Sequence, residues 1–318
     1  MEKEINVLKR KNPDNIKDPV RPTNQLGRNE CCVSIIIAAY NDEKNIKKSL
    51  LSAVEQNTLI KYEIIIVNDG SSDGTHDVIT KLINSYPNKK VKYINQENRG
   101  FSGARNAGLD IATGEYIFFL DSDDYISNNT IDDLYRKSNN GDNDVVDGSI
   151  VRFVGPVKKR LVRPATGYFG YPCGKLIKRK LFQNVRFPEN AWFEDTIVEF
   201  LIMPFVRKIS FCDTAIYYYR KNFKGISTSA KRNIKSFDSY YLLKIMHESQ
   251  KKMLVPWSIE NDKRYSAHIE ITLRRIKHQN RELRSIVLRD LNDWMVDNGH
   301  ERIKMIEKGR VIKNKLAE

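Results

Sequence analysis

Short apolar runs alternate with amphipathic stretches of helical length between residues 33 and 120. Four of these runs are rich in isoleucine, valine and phenylalanine and have the length of buried strands. The predicted strands cover residues 33–38, 63–67, 91–94 and 116–120, and the predicted helices cover residues 43–55, 77–86 and 103–112. Strands that alternate with helices favour a parallel sheet with helices on both faces. We therefore predict an α/β fold for this part of the chain.

The pattern changes on both sides of this region. Residues 1–31 are polar and lack apolar periodicity, which predicts a flexible arm or a strap over the domain. Residues 144–153 add a strand, and residues 158–229 mix short elements. From residue 233 the apolar spacing is helical and predicts helices over residues 237–252, 257–278, 282–296 and 301–315. The predicted organisation is an arm over 1–31, an α/β domain over 32–230 and a helical region over 231–318.

Three carboxylates directly follow the fourth predicted strand: Asp121, Asp123 and Asp124. Carboxylates this close together repel one another and cost stability unless a positive charge lies among them. A hard divalent cation, held by one or two carboxylates and by phosphate oxygens, removes this repulsion. Open α/β folds also bind their ligands at the carboxyl ends of parallel strands. The alternative is an acidic turn that caps a helix starting near Thr130.

The other predicted strands end in residues suited to a nucleotide diphosphate. Tyr40 offers an aromatic face for a base, and Asp69 can accept a hydrogen bond from a base N–H. Gly70 permits a tight turn near a ligand, and Arg105 can bind phosphate or carboxylate through two N–H groups. The alternatives are a turn role for Asp69 and an ion pair of Arg105 with Asp110. Four such loops on one sheet edge favour a common ligand over coincidence.

The charge of the chain is unevenly distributed. Residues 1–150 carry 19 Lys and Arg against 23 Asp and Glu, whereas residues 151–318 carry 35 against 17. The basic second half favours an anionic partner, such as a phosphate-rich polymer, a lipid pyrophosphate or a membrane surface, although a solvated helical face also explains it. No base-stacking module accompanies the charge, so we expect no nucleic acid partner.

The composition also bears on the compartment. The 318 residues contain no apolar run of about 18 residues, so neither a transmembrane helix nor a signal peptide is expected. The four cysteines lack metal-ligand spacing, which predicts buried thiols in a reducing cytosol. We expect a cytoplasmic protein and leave peripheral contact with the inner face of the cell membrane open. Trp294, Met295 and Val296 indicate an apolar surface, which favours a homo-oligomer through the C-terminal helices over membrane docking.

Four motifs resemble family 2 of the inverting glycosyltransferases, which have the Rossmann-like GT-A fold. They are Ala-Ala-Tyr-Asn at 38–41, Val-Asn-Asp-Gly-Ser at 67–71, Gly-Ala-Arg-Asn at 103–106 and Asp-Ser-Asp-Asp at 121–124, with looser similarity at 174–176, 193–196, 217–220 and 226–229. The looser set is similar to bacterial enzymes that build capsule, exopolysaccharide or cell-wall glycans. The resemblance implies a mostly parallel sheet in which residues 32–130 bind nucleotide and residues 131–230 bind acceptor.

The resemblance also implies roles for individual residues on the donor side. Asp69 would contact the uracil of a UDP-sugar, Asp121 would lie near the ribose, and Asp123 would ligate Mn²⁺ or Mg²⁺ at the diphosphate. Ala39 belongs to the first motif and would line the donor site beside Tyr40. Arg99 departs from the family pattern, and its side chain could reach phosphate or face solvent. Arg220 and Ser227 lie in a segment that could cover the diphosphate or be an ordinary basic loop.

Inversion at the anomeric carbon requires a carboxylate within hydrogen-bond reach of the acceptor hydroxyl. Glu194 and Asp195 follow Trp192 and Phe193, apolar surroundings that would raise the pKa of a carboxylate into a useful range. By similarity to the family we predict Asp195 as the general base, with Glu194 as its neighbour or an acceptor-binding residue. The alternative is a helix start, where acids favour the helix dipole. Trp192 either stacks on a sugar or packs in the core.

These expectations describe a metal-dependent transferase that moves a hexose or an N-acetylhexosamine from a UDP-sugar to a hydroxyl group. The acceptor would be a glycan, an anionic cell-wall polymer or a lipid-linked glycan. A nucleotidyltransferase shares the α/β sheet and paired acids, but it usually has a glycine-rich basic loop where this chain has residues 40–43, Tyr-Asn-Asp-Glu. A non-catalytic binder of anionic polymers or nucleic acid through the basic half would leave the carboxylate cluster unexplained.

Overall fold

The structure of the protein is a computed structural model. It describes residues 15–21, 26–154, 157–162, 170–222, 225, 233–256, 258–298, 305–306 and 310–311. The residues group into two compact units. The sheet unit comprises Lys17–Asn190 and Glu194–Asn222, and the helical unit groups Ala191–Phe193 with the C-terminal helices.

A nine-stranded sheet forms the centre of the sheet unit, in the order β3-β2-β1-β4-β8-β6-β9-β5 with β7 paired to β6. The strands are β1 Cys31–Ala39, β2 Tyr62–Asp69, β3 Val91–Gln96, β4 Gly114–Asp121, β5 Tyr125–Ile126, β6 Val145–Val154, β7 Val157–Val162, β8 Lys175–Lys178 and β9 Ile209–Arg220. Strands β1 to β4 are parallel to one another, whereas the second half of the sheet is mixed. The predicted α/β fold is confirmed, and the predicted mostly parallel arrangement holds for the first half of the sheet.

Four helices belong to the sheet unit: α1 Ile46–Val54, α2 Thr75–Ser85, α3 Gly100–Ile111 and α4 Thr130–Lys137. Consecutive residues Ile35, Ile36 and Ile37 of β1 are all at most 1% exposed, which means that both faces of the central strands are covered. Helix α3 packs against β1 and β2. This burial explains why strands β1, β2 and β4 read as continuous apolar runs and could be predicted, whereas the edge strand β3 is only half-buried.

Part of the predicted N-terminal arm is ordered as a strap on the sheet unit. The backbone N–H of Arg186 donates to the carbonyl of Pro19 at 2.8 Å, and Arg21 N–H donates to the carbonyl of Asn184 at 3.1 Å. Val20 and Val185 form an isolated antiparallel bridge. We call residues 17–21 the N-terminal strap.

One buried ion pair joins β6 and β8. Asp147 and Lys175 are register partners, each side chain is at most 1% exposed, and Lys175 Nζ lies 3.4 Å from Asp147 Oδ1. Lys175 Nζ also lies 4.0 Å from the centroid of the Tyr171 ring. Burial lowers the pKa of Lys175 and raises that of Asp147, and the attraction between the two charges opposes both shifts.

The helical unit contains α5 Asp238–Lys252, α6 Ile259–Arg275 and α7 Arg281–Asp297. These three helices confirm the predictions over 237–252, 257–278 and 282–296. Side-chain caps mark two of their starts: Ser258 Oγ accepts from Asn261 N–H at 3.2 Å, and Asn280 Oδ1 accepts from Glu282 N–H at 2.7 Å. Among the described residues, no helix combines the length and apolarity that crossing a membrane requires.

Two expectations about the C-terminal region need correction. The helix predicted over 301–315 is wrong, because Met305–Ile306 and Arg310–Val311 pair as two short antiparallel strands, β10 and β11. Gly309, between them in sequence, is a poor helix former. The apolar surface predicted at Trp294, Met295 and Val296 is only partly present, because Val296 alone of the three is exposed, at 43%. Met295 is 2% exposed, and the Trp294 ring packs edge-on against His247 within the helical unit.

Candidate active site

The turn after β4 brings three aspartates to the carboxyl edge of the sheet. Asp121 ends β4, where its register partner is Ala38 of β1. Asp124 closes the turn, because its backbone N–H donates to the Asp121 carbonyl at 3.1 Å. We call residues 121–124 the acid turn. Since β4 is parallel to β1 and β2, the acid turn lies at the edge where open α/β sheets bind ligands.

Asp124 ties the acid turn to β9. Its carboxylate is buried and accepts hydrogen bonds from the Tyr217 hydroxyl at 2.7 Å and from the Arg220 backbone N–H at 2.6 Å. The Tyr217 oxygen also accepts from the Asp121 backbone N–H at 3.1 Å. Burial, with Asp121 and Asp123 nearby, raises the pKa of Asp124 well above its ordinary value. Asp124 therefore acts as a fixed support of the turn.

Asp123 has the environment expected of a cation ligand. Burial raises its pKa to about 6, and the charges of Asp121 and Asp42 add to the shift. Asp42 is fixed beside the turn because the Ser122 hydroxyl donates to its Oδ2 at 2.7 Å. Within the part of the chain that the structure describes, no group of three or more acids, histidines and cysteines could hold a metal alone. The oxygen donors fit Mg²⁺ or Mn²⁺ bound by one or two carboxylates together with ligand phosphates.

Arg105 links the acid turn to the predicted catalytic acids. Its guanidinium, on α3, is 9% exposed and donates to Asp121 Oδ1 at 2.8 Å through Nη2 and to Glu194 Oε1 through Nη1. The alternative partner Asp110 is instead paired with Arg186, whose Nη2 lies 2.8 Å from its Oδ1. Arg105 thus binds the carboxylates of both Asp121 and Glu194, which lie 73 residues apart along the chain.

Glu194 and Asp195 have different environments. Glu194 is buried, and this burial raises its pKa to about 7 against the opposing charge of Arg105, with Asp195 adding to the shift. Asp195 is partly exposed, and its carbonyl accepts from the Val198 backbone N–H at 2.9 Å. Val198–Ile202 forms a π-helical turn, a feature frequent at functional sites. The acids therefore stand at the start of a helical segment, as the alternative interpretation expected.

Asp69 and Tyr40 follow β2 and β1 at the same edge. The Asp69 side chain is buried, and its Oδ1 accepts from Gln96 Nε2 at 2.6 Å and from the Arg99 backbone N–H at 3.0 Å. Its Oδ2 is buried without a hydrogen-bond partner among the described residues. Such an acceptor is costly unless a ligand donates to it. Tyr40 is 52% exposed and follows the buried Ala39, so its ring is available for stacking.

The Arg99 side chain is 43% exposed, as one of the two alternatives expected, and its guanidinium also forms an ion pair that was not predicted. Its Nη2 lies 2.8 Å from Oε1 of Glu189, a residue that also binds Lys17 at 2.5 Å and Arg21 at 3.3 Å. Burial would raise the pKa of Glu189, but these cations outweigh it and lower the pKa to about 2.

The remaining predicted residues fall into three cases. Arg220 lies at the acid turn, where its Nε donates to the Asp123 carbonyl at 2.8 Å. Trp192 belongs to the helical unit, and its backbone N–H donates to Asp238 Oδ2 at 2.8 Å. Ser227 lies outside the described residues. Three residues of this region were not predicted from the sequence: Asp42, Tyr217 and Glu189. Only Tyr217 had a signal, because it belongs to the tyrosine run of residues 217–219.

The model of glycosyl transferase family 2 matches residues 34–193. Glycosyltransferase GlyA of Streptococcus pneumoniae is 29% identical over 59% of this chain and 30% of its own length. Minor teichoic acid biosynthesis protein GgaB of Bacillus subtilis is 29% identical over 63% of this chain and 24% of its own length. The chain therefore spans about a quarter to a third of these two relatives.

Solved structures also superpose on this chain. TarS 1–349 of S. aureus in complex with UDP-GlcNAc superposes with a TM-score of 0.55 at 19% identity, covering 90% of this chain and 98% of that chain. Mannosyltransferase PcManGT of Pyrobaculum calidifontis, in complex with GDP-Man and Mn²⁺, gives a TM-score of 0.52 at 15% identity over 91% of this chain and 86% of that chain. At these identities the similarity shows the fold.

Proposed function

The chain belongs to glycosyl transferase family 2, and we propose that it transfers a sugar from a UDP-sugar to a hydroxyl group with inversion at the anomeric carbon. The observation that carries this proposal is the position of Arg105. One buried guanidinium binds Asp121, at the predicted donor site, and Glu194, beside the predicted general base. A displacement reaction needs the donor and the acceptor activated next to each other.

The donor assignment rests on Asp69. Its buried Oδ2 has no hydrogen-bond partner in the described residues, while Oδ1 is held by Gln96 and Arg99. A carboxylate held in this way accepts from the N3–H of uracil, whereas cytosine presents an acceptor at the same position. The exposed Tyr40 ring next to it can stack on the base. The UDP and UDP-GlcNAc complexes of the TarS structures support a uridine nucleotide.

Asp123, supported by the acid turn, would hold Mn²⁺ or Mg²⁺ together with the donor diphosphate. The bound cation supplies electrostatic stabilisation of the leaving UDP. Mn²⁺ in the PcManGT complex supports a divalent cation in this role. Arg220 stands at the same turn and adds a fixed positive charge near the diphosphate.

Asp195 would remove the proton from the acceptor hydroxyl. It is partly exposed, so an acceptor can reach it, whereas Glu194 is buried and engaged by Arg105. Arg105 fixes the position of Glu194 and, through the chain, that of the adjacent Asp195. The acceptor class we favour is an anionic glycan or cell-wall polymer, because residues 151–318 carry 35 Lys and Arg against 17 Asp and Glu. The name of GgaB, a teichoic acid biosynthesis protein, supports this class.

The test is UDP release from a panel of UDP-sugars, with and without Mn²⁺, by the wild type and by Asp123→Ala and Asp195→Asn. We expect metal-dependent release from one donor. Asp123→Ala should lose both release and metal-dependent UDP binding, whereas Asp195→Asn should lose release but bind UDP like the wild type. Asp142→Asn is the matched control, because Asp142 is a surface acid paired with Lys208. Failure of the wild type to bind any uridine nucleotide in the presence of metal would overturn the proposal.

A further inference from the structure

We propose that Glu189 and the N-terminal strap are specificity-determining elements that position Asp69 for nucleobase recognition. The inference rests on the proposed function, in which Asp69 binds the uracil of the donor. It assigns a role to a segment that precedes the first strand of the sheet and to an acid that does not itself contact the donor.

Glu189 is a buried junction of four segments. Its side chain is 2% exposed, and its carboxylate meets Lys17 Nζ at 2.5 Å, Arg21 Nη1 at 3.3 Å and Arg99 Nη2 at 2.8 Å. Asn106 Nδ2 on α3 adds a contact at 3.4 Å. A buried carboxylate is costly unless it is paired and hydrogen-bonded, and these partners satisfy that requirement. The acid therefore holds its three cations in fixed positions.

Arg99 carries this constraint to Asp69. Its guanidinium is held by Glu189, and its backbone N–H donates to Asp69 Oδ1 at 3.0 Å. The same loop supplies Gln96 Nε2, which donates to Asp69 Oδ1 at 2.6 Å. Both donors contact Oδ1, which leaves Oδ2 as the oxygen directed to a ligand. A shift of the loop of residues 96–99 would rotate this carboxylate away from the base N–H.

The N-terminal strap completes the junction from the other side. It pairs along residues 184–189 through backbone hydrogen bonds, including Lys17 N–H to the Glu189 carbonyl at 3.3 Å and Arg186 N–H to the Pro19 carbonyl at 2.8 Å. Its two cations therefore reach Glu189 from a backbone that is itself fixed to the same segment. The strap cations fix the position of the Glu189 carboxylate, so without them the carboxylate and the Arg99 guanidinium bound to it can shift together.

The experiment compares binding of UDP and CDP, each with Mn²⁺, by calorimetry on the full chain. For Glu189→Gln we expect UDP binding to weaken about tenfold while CDP binding changes less than twofold, because only uracil donates to Asp69 at N3. Glu63→Gln is the matched control. Glu63 is likewise a buried acid paired with lysine, 2.8 Å from Lys92 Nζ, but it lies near the start of β2, far along the strand from Asp69. Glu63→Gln should leave the ratio of UDP affinity to CDP affinity unchanged.

A second variant guards against misfolding of Glu189→Gln. Lys17 and Arg21 have side chains 48% and 32% exposed, so their replacement by glutamine is compatible with folding. The double variant Lys17→Gln/Arg21→Gln should lower the ratio of UDP affinity to CDP affinity by about threefold. The effect is smaller than that of Glu189→Gln because Arg99 keeps its pair with Glu189. Unchanged selectivity in both variants would overturn this inference alone. Absence of UDP binding by the wild type would overturn the proposed function and this inference with it.

Discussion

Replacing Arg105 with methionine tests whether one guanidinium stabilises both Asp121 and Glu194, the acids of the proposed donor and acceptor sites. The side chain is 9% exposed, and its partners are Asp121 at 2.8 Å and the buried Glu194. Methionine retains much of the volume but removes the charge, so both carboxylates lose their cation. Removing one partner of a buried ion pair costs about 3–5 kcal/mol. We expect the lower end of this range, because Asp121 is 30% exposed and can be hydrated by solvent.

A second substitution separates the lost charge from lost packing. In Arg105→Met/Glu194→Gln the buried acid is neutral, so the double variant should regain about 1–3 kcal/mol of the free energy of unfolding relative to Arg105→Met. The measurement is urea denaturation followed by far-UV circular dichroism at pH 7.5, which reports on the strands and helices of the sheet unit. Arg136→Met is the control, because Arg136 is a 78% exposed partner of Asp132 and should change stability by less than about 0.5 kcal/mol.

The outcome that would refute this reasoning is a double variant no more stable than Arg105→Met. Such a result would mean that the guanidinium contributes by packing and not by its charge. A loss below about 1 kcal/mol for Arg105→Met alone would likewise place the pair among ordinary surface ion pairs.

Two further predictions concern the backbone of the proposed donor site at Gly70 and the buried Glu63 near the start of β2. Gly70→Ala should cost about 2–3 kcal/mol of unfolding free energy and weaken UDP binding, because Gly70 has φ +71° and an added Cβ would lie 2.8 Å from the Asn98 backbone nitrogen. Gly100→Ala, at φ +73° with open space around the Cβ, should cost only about 1 kcal/mol, and equal losses in denaturation would contradict the steric argument. The pKa of Glu63 is lowered to about 2, because Lys92 and hydrogen bonds outweigh the effect of burial. The contribution of Glu63 to the free energy of unfolding is therefore present above pH 4.5 and is lost as the pH falls toward 2. Glu63→Gln should flatten the pH dependence of stability in that window by an amount on the order of 3 kcal/mol, and an unchanged slope in denaturation between pH 5 and 2 would contradict this assignment.

The first half of the sheet could be predicted from the sequence because three of its strands, β1, β2 and β4, are buried on both faces. Residues 33–38, 63–67, 91–94 and 116–120 all lie within observed strands, and the helices between them differ from prediction by a few residues at their ends. Helix α1 begins at Ile46 rather than at residue 43, because the Asp42 carbonyl first accepts from Asn45 and Ile46 in a turn. Strand ends therefore located the acid turn, Asp69 and Tyr40 correctly along the sheet edge.

The contacts between distant segments could not be predicted. Nothing near Arg105 in sequence indicates that Glu194, 89 residues away, binds it. The same holds for Glu189, whose partners Lys17 and Arg99 come from either side of the first strands. The helix predicted over 301–315 failed for a related reason, because apolar spacing in a short stretch does not separate a helix from a pair of short strands.

The buried pair of Asp147 and Lys175 determines the alignment of a very short strand. Strand β8 has four residues, too few for hydrogen bonds alone to select one pairing with β6. Any other alignment would bury one charge without the other, at a cost of several kcal/mol. The pair thus disfavours any other register of β8 on β6. Cys173 lies two residues before Lys175, and its thiol donates a hydrogen bond to Asp121 Oδ2 at 3.3 Å. The register of β8 therefore also places the Cys173 thiol beside the acid turn.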